Sequence, residues 1–179
     1  MATLKMPISK SDHIRGPMTA AVTLVEYGDY QCPHCGAAHP VVNQVQAYFD
    51  DSLRFLFRHF PLTEVHPFAE IAAESAEFAS AADMFWEMHD ALFENQSILS
   101  VPTIFMIAEQ LRLPEILLRN ALETGQYKAK VRNDFMGGVR SGVNGTPAFF
   151  INGVRHDGAY DFSSLTSAIQ LHLTAKSHA

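Results

Sequence analysis

Apolar residues follow three patterns along this chain. Over residues 21–27 they run almost continuously, broken by Thr23 and Glu26, as in a strand covered on both faces. From Pro33 onward they recur at helical spacing, at Ala38, Val41, Val42, Val45, Tyr48 and Phe49, which predicts a helix with one buried face. Pro40 lies inside that helix and is expected to kink it. Residues 53–60, Leu-Arg-Phe-Leu-Phe-Arg-His-Phe, read as a second strand, with Arg54 and Arg58 expected on a solvated face. A long helical region follows over 66–141. Phe68, Ile71, Ala72, Ser75, Ala76 and Ala79 form one stripe, and Phe85, Met88 and Leu92 form another. Pro102 and Pro114 sit where first helical turns begin, and Gly125 separates two further pieces. After Gly142 the pattern returns to strands. Residues 148–151 are one strand, Asn152-Gly153 is a hairpin turn, and residues 154–156 are its partner. A last helix covers 162–174.

The order is therefore β-α-β, a block of helices, then β-β-α. A strand–helix–strand unit implies a parallel pair with a right-handed crossover. Removing the middle block leaves a compact α/β sandwich. The expected organisation is an irregular lead-in over 1–20, a core built from 21–65 and 142–179, and a helical subdomain inserted over 66–141.

Composition narrows the class. With 47% hydrophobic and 18% charged residues the chain is globular rather than disordered. The formal charge of −6 argues against nucleic-acid binding, which needs a basic face. No segment has the length and apolarity of a transmembrane helix. The first ten residues contain no apolar core of a secretory signal, so a cytoplasmic location is expected as the sequence stands, and an extracytoplasmic one if a signal has been removed.

The chemistry centres on Cys32-Pro33-His34-Cys35, which holds both cysteines of the chain. A Cys-x-x-Cys at a strand–helix junction is the sequence form of a redox-active dithiol. The helix N-terminus offers free N–H groups and partial positive charge to Cys32, which lowers its pKa and makes it the expected nucleophile. Cys35, one turn further on, is expected to be more buried and to resolve the mixed disulfide. An imidazole at His34 would stabilise the thiolate further, and Pro33 suits the first helical position. Cys32, Cys35 and His39 have the spacing of three zinc ligands, but a structural zinc usually takes two separated pairs, and no second cysteine pair exists. No metal and no cofactor beyond the dithiol is expected.

Glu26 interrupts an apolar strand six residues before Cys32. A carboxylate there is costly unless paired or protonated. It either exchanges the proton of Cys35 through water, with a raised pKa, or reaches solvent from the strand end. Thr146-Pro147 follows a Gly-rich stretch and precedes a strand, a candidate cis peptide that would turn the Thr146 backbone toward an extended substrate. Met84, Phe85, Met88, Leu92 and Phe93 read as core, Trp86 as packing at either surface, and His39, His59, His66 and His89 as structural histidines.

These motifs resemble those of the DsbA-type thioredoxin-fold oxidoreductases. The matching segments are 25–35, Val-Glu-Tyr-Gly-Asp-Tyr-Gln-Cys-Pro-His-Cys; Arg58 to Leu62 with His66-Pro67; Phe85 to His89 with Leu92-Phe93; and 142–153, Gly-Val-Asn-Gly-Thr-Pro-Ala-Phe-Phe-Ile-Asn-Gly. The resemblance spans roughly residues 20–172. It implies a thioredoxin-like α/β fold with a helical insertion, Cys32 and Cys35 as the redox pair, Glu26 as the buried acid, and Thr146-Pro147 as a cis-proline substrate contact. The expected activity is thiol–disulfide exchange with protein or peptide thiols and disulfides, foremost as a dithiol oxidase with a recycling partner. The alternatives are a cytosolic reductase or isomerase, and a chaperone-like peptide-binding module. A glutathione-dependent transferase fits less well, since those often lack the second cysteine.

Overall fold

A computed structural model describes residues 2–176. Residues 177–179, the tail of the expected core segment, lie outside the described residues. Five strands form one mixed sheet in the order β1-β3-β2-β4-β5, namely β1 (His13–Arg15), β2 (Val22–Gly28), β3 (Leu53–His59), β4 (Ala148–Ile151) and β5 (Val154–His156). β2 and β3 pair in parallel, and the other neighbours are antiparallel. The crossover between β2 and β3 is α1 (Pro33–Phe49). Five helices then intervene before β4: α2 (Ala69–Ser80), α3 (Phe85–Glu94), α4 (Val101–Gln110), α5 (Glu115–Thr124) and α6 (Lys128–Arg140). α7 (Phe162–Lys176) closes the chain. Asn152 and Gly153, with φ of 46° and 82°, make the turn between β4 and β5.

The two-residue alternation of the strands sorts their side chains into two cores. Leu24, Phe55, Phe57, Phe149 and Ile151 face α1, α7 and the helical block. Val25, Tyr27, Leu56 and Phe150 face the other way, where Leu4, Ile8, Ile14 and Phe135 cover them. Gly138 of α6 lets that helix approach, because a Cβ there would sit 2.6 Å from the Phe60 ring.

The lead-in is therefore not irregular throughout. It contributes β1 and roofs the second sheet face. This also corrects the expectation for Arg58, which is not solvated but 1% exposed. Its alternation position points under the lead-in, where its guanidinium donates to both Asp12 carboxylate oxygens at 2.7 and 3.0 Å and to the Met6 and Pro7 carbonyls. A buried guanidinium is tolerable only when paired and hydrogen-bonded in this way. Arg54 bonds the Thr23 hydroxyl and the Met18 carbonyl. Tyr48, expected on the buried face of α1, is 65% exposed; it lies against Phe49 and Phe162 at the surface. Phe85, Met88, Leu92 and Phe93 are core, with Met84 half-buried against them.

Candidate active site

β2 delivers the chain to the C-terminal edge of the sheet, and α1 begins at Pro33 with Cys32 as its N-cap residue. Cys32 is extended, with φ −72° and ψ 120°, so its side chain leaves the helix axis while the first N–H groups of α1 stay unpaired in the helix. Both thiols are free and buried, Cys35 at 0% exposure and Cys32 at 4%. The loop holding Thr146 and Pro147 lies over them. The Thr146–Pro147 peptide is cis, and the Cys32 sulfur lies 3.4 Å from the Thr146 carbonyl oxygen, to which its protonated form can donate.

The two sulfurs sit in opposed environments. Cys32 is lowered to about 5. The Cys35 thiol hydrogen-bonds it, burial opposes, and the N–H groups of Cys35 and His34 add to the stabilisation. Cys35 is pushed well above the usual thiol value, first by burial, then by its bond to Cys32 and by the charge of Glu26. One thiol is thus a thiolate at neutral pH and the other stays protonated.

Glu26 lies in β2 with Phe57 and Phe149 as its lateral neighbours in the sheet. It is 2% exposed, and its Oε1 has no hydrogen-bond partner. Burial, with the charge of Cys32 adding, raises it to about 8. Of the two readings of this acid, solvent contact is thereby excluded. His34 is exposed, and its Nδ1 pairs with the Tyr160 hydroxyl at 2.9 Å. What His34 gives to Cys32 is its backbone N–H. Pro33 takes the first helical turn, where its missing N–H leaves no intrahelical bond unmade.

Several supporting residues were not apparent from the sequence. Asp29 is 2% exposed and fixes the loop between β2 and α1. Its carboxylate accepts from the N–H groups of Gln31 at 2.7 Å and Leu62 at 2.9 Å, and from His66 Nδ1 at 2.7 Å. Its own N–H donates to Cys35 Sγ at 3.4 Å. Gln96, in the short 3-10 turn after α3, donates from Nε2 to the carbonyls of Tyr30 at 2.8 Å and Cys32 at 2.9 Å. Gly36 leaves room for that amide. An acid directly after a strand is the sequence signal for Asp29, since such a residue readily caps turn N–H groups. Nothing local marks Gln96, which reaches the dithiol from 64 residues away.

A strand-to-helix dithiol under a cis-proline loop, on a mixed five-stranded sheet with a helical insertion, defines a thioredoxin-like fold. The family model described as thioredoxin matches residues 9–171, and the chain belongs to that family. Among solved structures, oxidised BdbD from Bacillus subtilis superposes with a TM-score of 0.86 at 23% identity, covering 97% of this chain and 98% of that one. Wolbachia pipientis alpha-DsbA1 gives 0.82 at 22% identity over 98% and 97%. The catalytic domain of Proteus mirabilis ScsC gives 0.81 at 20% over 93% and 91%. At these identities the likeness is one of fold. Curated relatives are more similar in sequence. The Na(+)/H(+) antiporter NhaA 1 of Salinispora arenicola is 42% identical over 167 residues, 93% of this chain and 26% of that protein. NhaA of Herminiimonas arsenicoxydans is 36% identical over 159 residues, 89% and 25%. The chain spans about a quarter of the length of the curated relatives it matches. Among its own described residues, no helix is long and apolar enough to cross a membrane.

Proposed function

We propose that this chain is a protein thiol–disulfide oxidoreductase whose Cys32–Cys35 pair works as a dithiol oxidase. The observation that carries the reading is the placement of the two sulfurs: Cys32 caps α1 3.4 Å from the Thr146 carbonyl, and Cys35 is wholly buried one turn on, which favours a thiolate at the first and a protonated thiol at the second. In the oxidising direction a client thiolate attacks Cys32 of the disulfide. The Cys32–Cys35 bond breaks, and Cys35 leaves and takes a proton. Glu26, protonated at neutral pH, is the nearby proton source. A second client thiolate then attacks the client sulfur of the mixed disulfide. The client disulfide forms, Cys32 leaves as a thiolate, and two electrons remain on the dithiol for a recycling oxidant to remove. A leaving group of low pKa departs fast, and a stabilised thiolate makes the reduced form the favoured product. The Thr146 backbone, whose carbonyl faces Cys32, is the edge on which an extended client segment would pair in this reading.

Trapping tests the role of each sulfur. Cys35→Ser should accumulate mixed disulfides with client proteins, and Cys32→Ser should accumulate few. Equal trapping by both contradicts the assignment. A peptide-holding module without redox function would keep its activity after loss of both cysteines.

Direction follows compartment. At about −120 mV, in a cytosol poised at about −280 mV, a gap of about 160 mV favours the dithiol by roughly 7 kcal/mol. As an oxidant the chain therefore belongs outside the cytoplasm, with its pair mostly oxidised. A cytosolic copy would be mostly reduced; it could attack client disulfides through Cys32, but as a weak reductant. Acid quenching of cells followed by thiol alkylation distinguishes these states. The curated relatives favour a membrane-side setting, since their matched quarter belongs to proteins named as Na(+)/H(+) antiporters. Recovery of a membrane antiporter among the Cys35→Ser adducts would support that setting, and adducts confined to secreted clients would oppose it.

A further inference from the structure

Where α1 meets the helical insertion, three ligand-type side chains converge. His39 belongs to α1, four residues past Cys35, and His89 and Asp90 belong to α3. One metal-ligating atom of each lies within 4.8 Å of the others. His39 Nε2 is 3.6 Å from Asp90 Oδ1. We propose that His39, His89 and Asp90 form a zinc site that joins the active-site helix to the insertion.

The surroundings are those of a built ligand set. Asp90 Oδ2 is held by the Arg15 guanidinium at 2.7 Å, which fixes the carboxylate and leaves Oδ1 over. Oδ1 is buried and has no hydrogen-bond partner. His89 Nδ1 is engaged by the Tyr30 hydroxyl at 3.1 Å, so Nε2 is the nitrogen left for a metal. A hydrogen bond at the far nitrogen orients a ligating histidine and sets its tautomer. Phe93 stacks on His39 at 4.8 Å, and the His89 ring packs against Phe57 at 4.5 Å, which restricts both imidazoles. The bond from Asn43 Nδ2 to His39 Nε2, 3.3 Å, must yield to the metal.

Two imidazoles and one carboxylate suit zinc, with water as a fourth ligand. Tetrahedral zinc with bonds of about 2.0–2.1 Å holds its ligand atoms about 3.3 Å apart. The His39–Asp90 pair is already close to that separation, and the rest requires movements on the order of 1 Å. His39 thus serves a different set from the one its spacing after the two cysteines suggests. A second cluster, His59, Glu77 and Asp134, has similar composition, but Lys130 Nζ lies 2.7 Å from Asp134 and 3.7 Å from Glu77. There one ammonium already engages both carboxylates, whereas Arg15 engages only Oδ2 of Asp90 and leaves Oδ1 unpaired.

The test must exclude the dithiol, since thiolates are themselves zinc ligands. Zn²⁺ alone is titrated by calorimetry into the full chain carrying Cys32→Ser and Cys35→Ser, with melting followed in parallel. One equivalent should bind and raise the melting temperature. Adding Asp90→Asn, which keeps the side-chain shape, should weaken binding at least tenfold, and adding His39→Ala should abolish it. Tyr30→Phe should cost about tenfold through loss of the orienting bond. Absence of stoichiometric binding in the parent variant overturns the proposal. So does binding that Asp90→Asn leaves unchanged, an outcome readable even if His39→Ala fails to fold.

Discussion

Glu26 and Glu77 are both almost wholly buried carboxylates, and they end in opposite protonation states. Glu26 has apolar neighbours in the sheet, an orphan Oε1, and a pKa raised to about 8. Glu77, on α2, meets His13 Nε2 and His59 Nε2, each 2.8 Å from the same Oε1, with Lys130 at 3.7 Å. Burial pushes Glu77 up, but the two histidine hydrogen bonds and the charges of His59 and Lys130 outweigh it and hold the group well below the usual carboxylate range. Burial acts on both, and partners decide the result. The paired acid ties β1, β3, α2 and α6 together. The unpaired one, raised by burial, keeps its proton to about pH 8.

Replacing Glu77 should have the larger structural effect. Glu77→Ala leaves His13, His59 and Lys130 facing an emptied site, and a loss of about 3–5 kcal/mol in denaturant unfolding is expected. Cys32 should keep its low pKa in that variant. A loss under about 1 kcal/mol would make the cluster energetically idle and dissolve the contrast.

Glu26 should reveal itself by pH. Between about 4.5, the ordinary value, and about 8, the folded chain holds a proton on Glu26 that the unfolded chain has released. The Glu26 contribution to stability therefore falls as pH rises through this window, by an amount on the order of 3 kcal/mol at pH 7, and it is read in the disulfide form, where the acid-shifted Cys32 cannot titrate and add its opposite slope. Glu26→Gln should remove that slope, raise stability near pH 7, and slow the proton-dependent loss of Cys35 from the disulfide. An unchanged slope in the variant would place the titration elsewhere.

Much of the fold was readable because the strands around the dithiol alternate or run apolar and the α1 periodicity is strong. Cys32, Cys35, Glu26, Thr146 and Pro147 carry local signals, and the structure brings them to one end of the sheet. What escaped was set by long-range packing. Arg58 looks like a surface residue of an alternating strand until residues 4–14 are seen to cover that face. Tyr48 fits the helical stripe but lies at its margin, beyond the reach of the sheet. Gln96 and Tyr160 matter only through tertiary contact with the Cys32 and His34 region. Asp29 had a turn signal but no hint of its four loop contacts.

Two smaller effects sharpen the contrast around the thiols. Asp29→Asn keeps the shape but cannot accept from all three of Gln31, Leu62 and His66, so a loss of about 1–3 kcal/mol is expected on urea unfolding. Loss below that range would mean the loop is held without it. Tyr160→Phe frees an exposed imidazole and should change stability by no more than about 0.5 kcal/mol. The Cys32 thiolate midpoint, followed by ultraviolet absorbance, should stay near 5. A shift of more than about one unit would show that the His34 ring, and not only its N–H, holds the thiolate.

An acid-shifted Cys32 beside a protonated Cys35 should make this dithiol an oxidant. Equilibrating the full chain against glutathione buffers and quantifying the Cys32–Cys35 disulfide measures that directly. A reduction potential nearer the oxidising limit of about −120 mV than the thioredoxin value of about −270 mV is expected. A potential at or below about −270 mV would contradict it and identify the pair as a reductant.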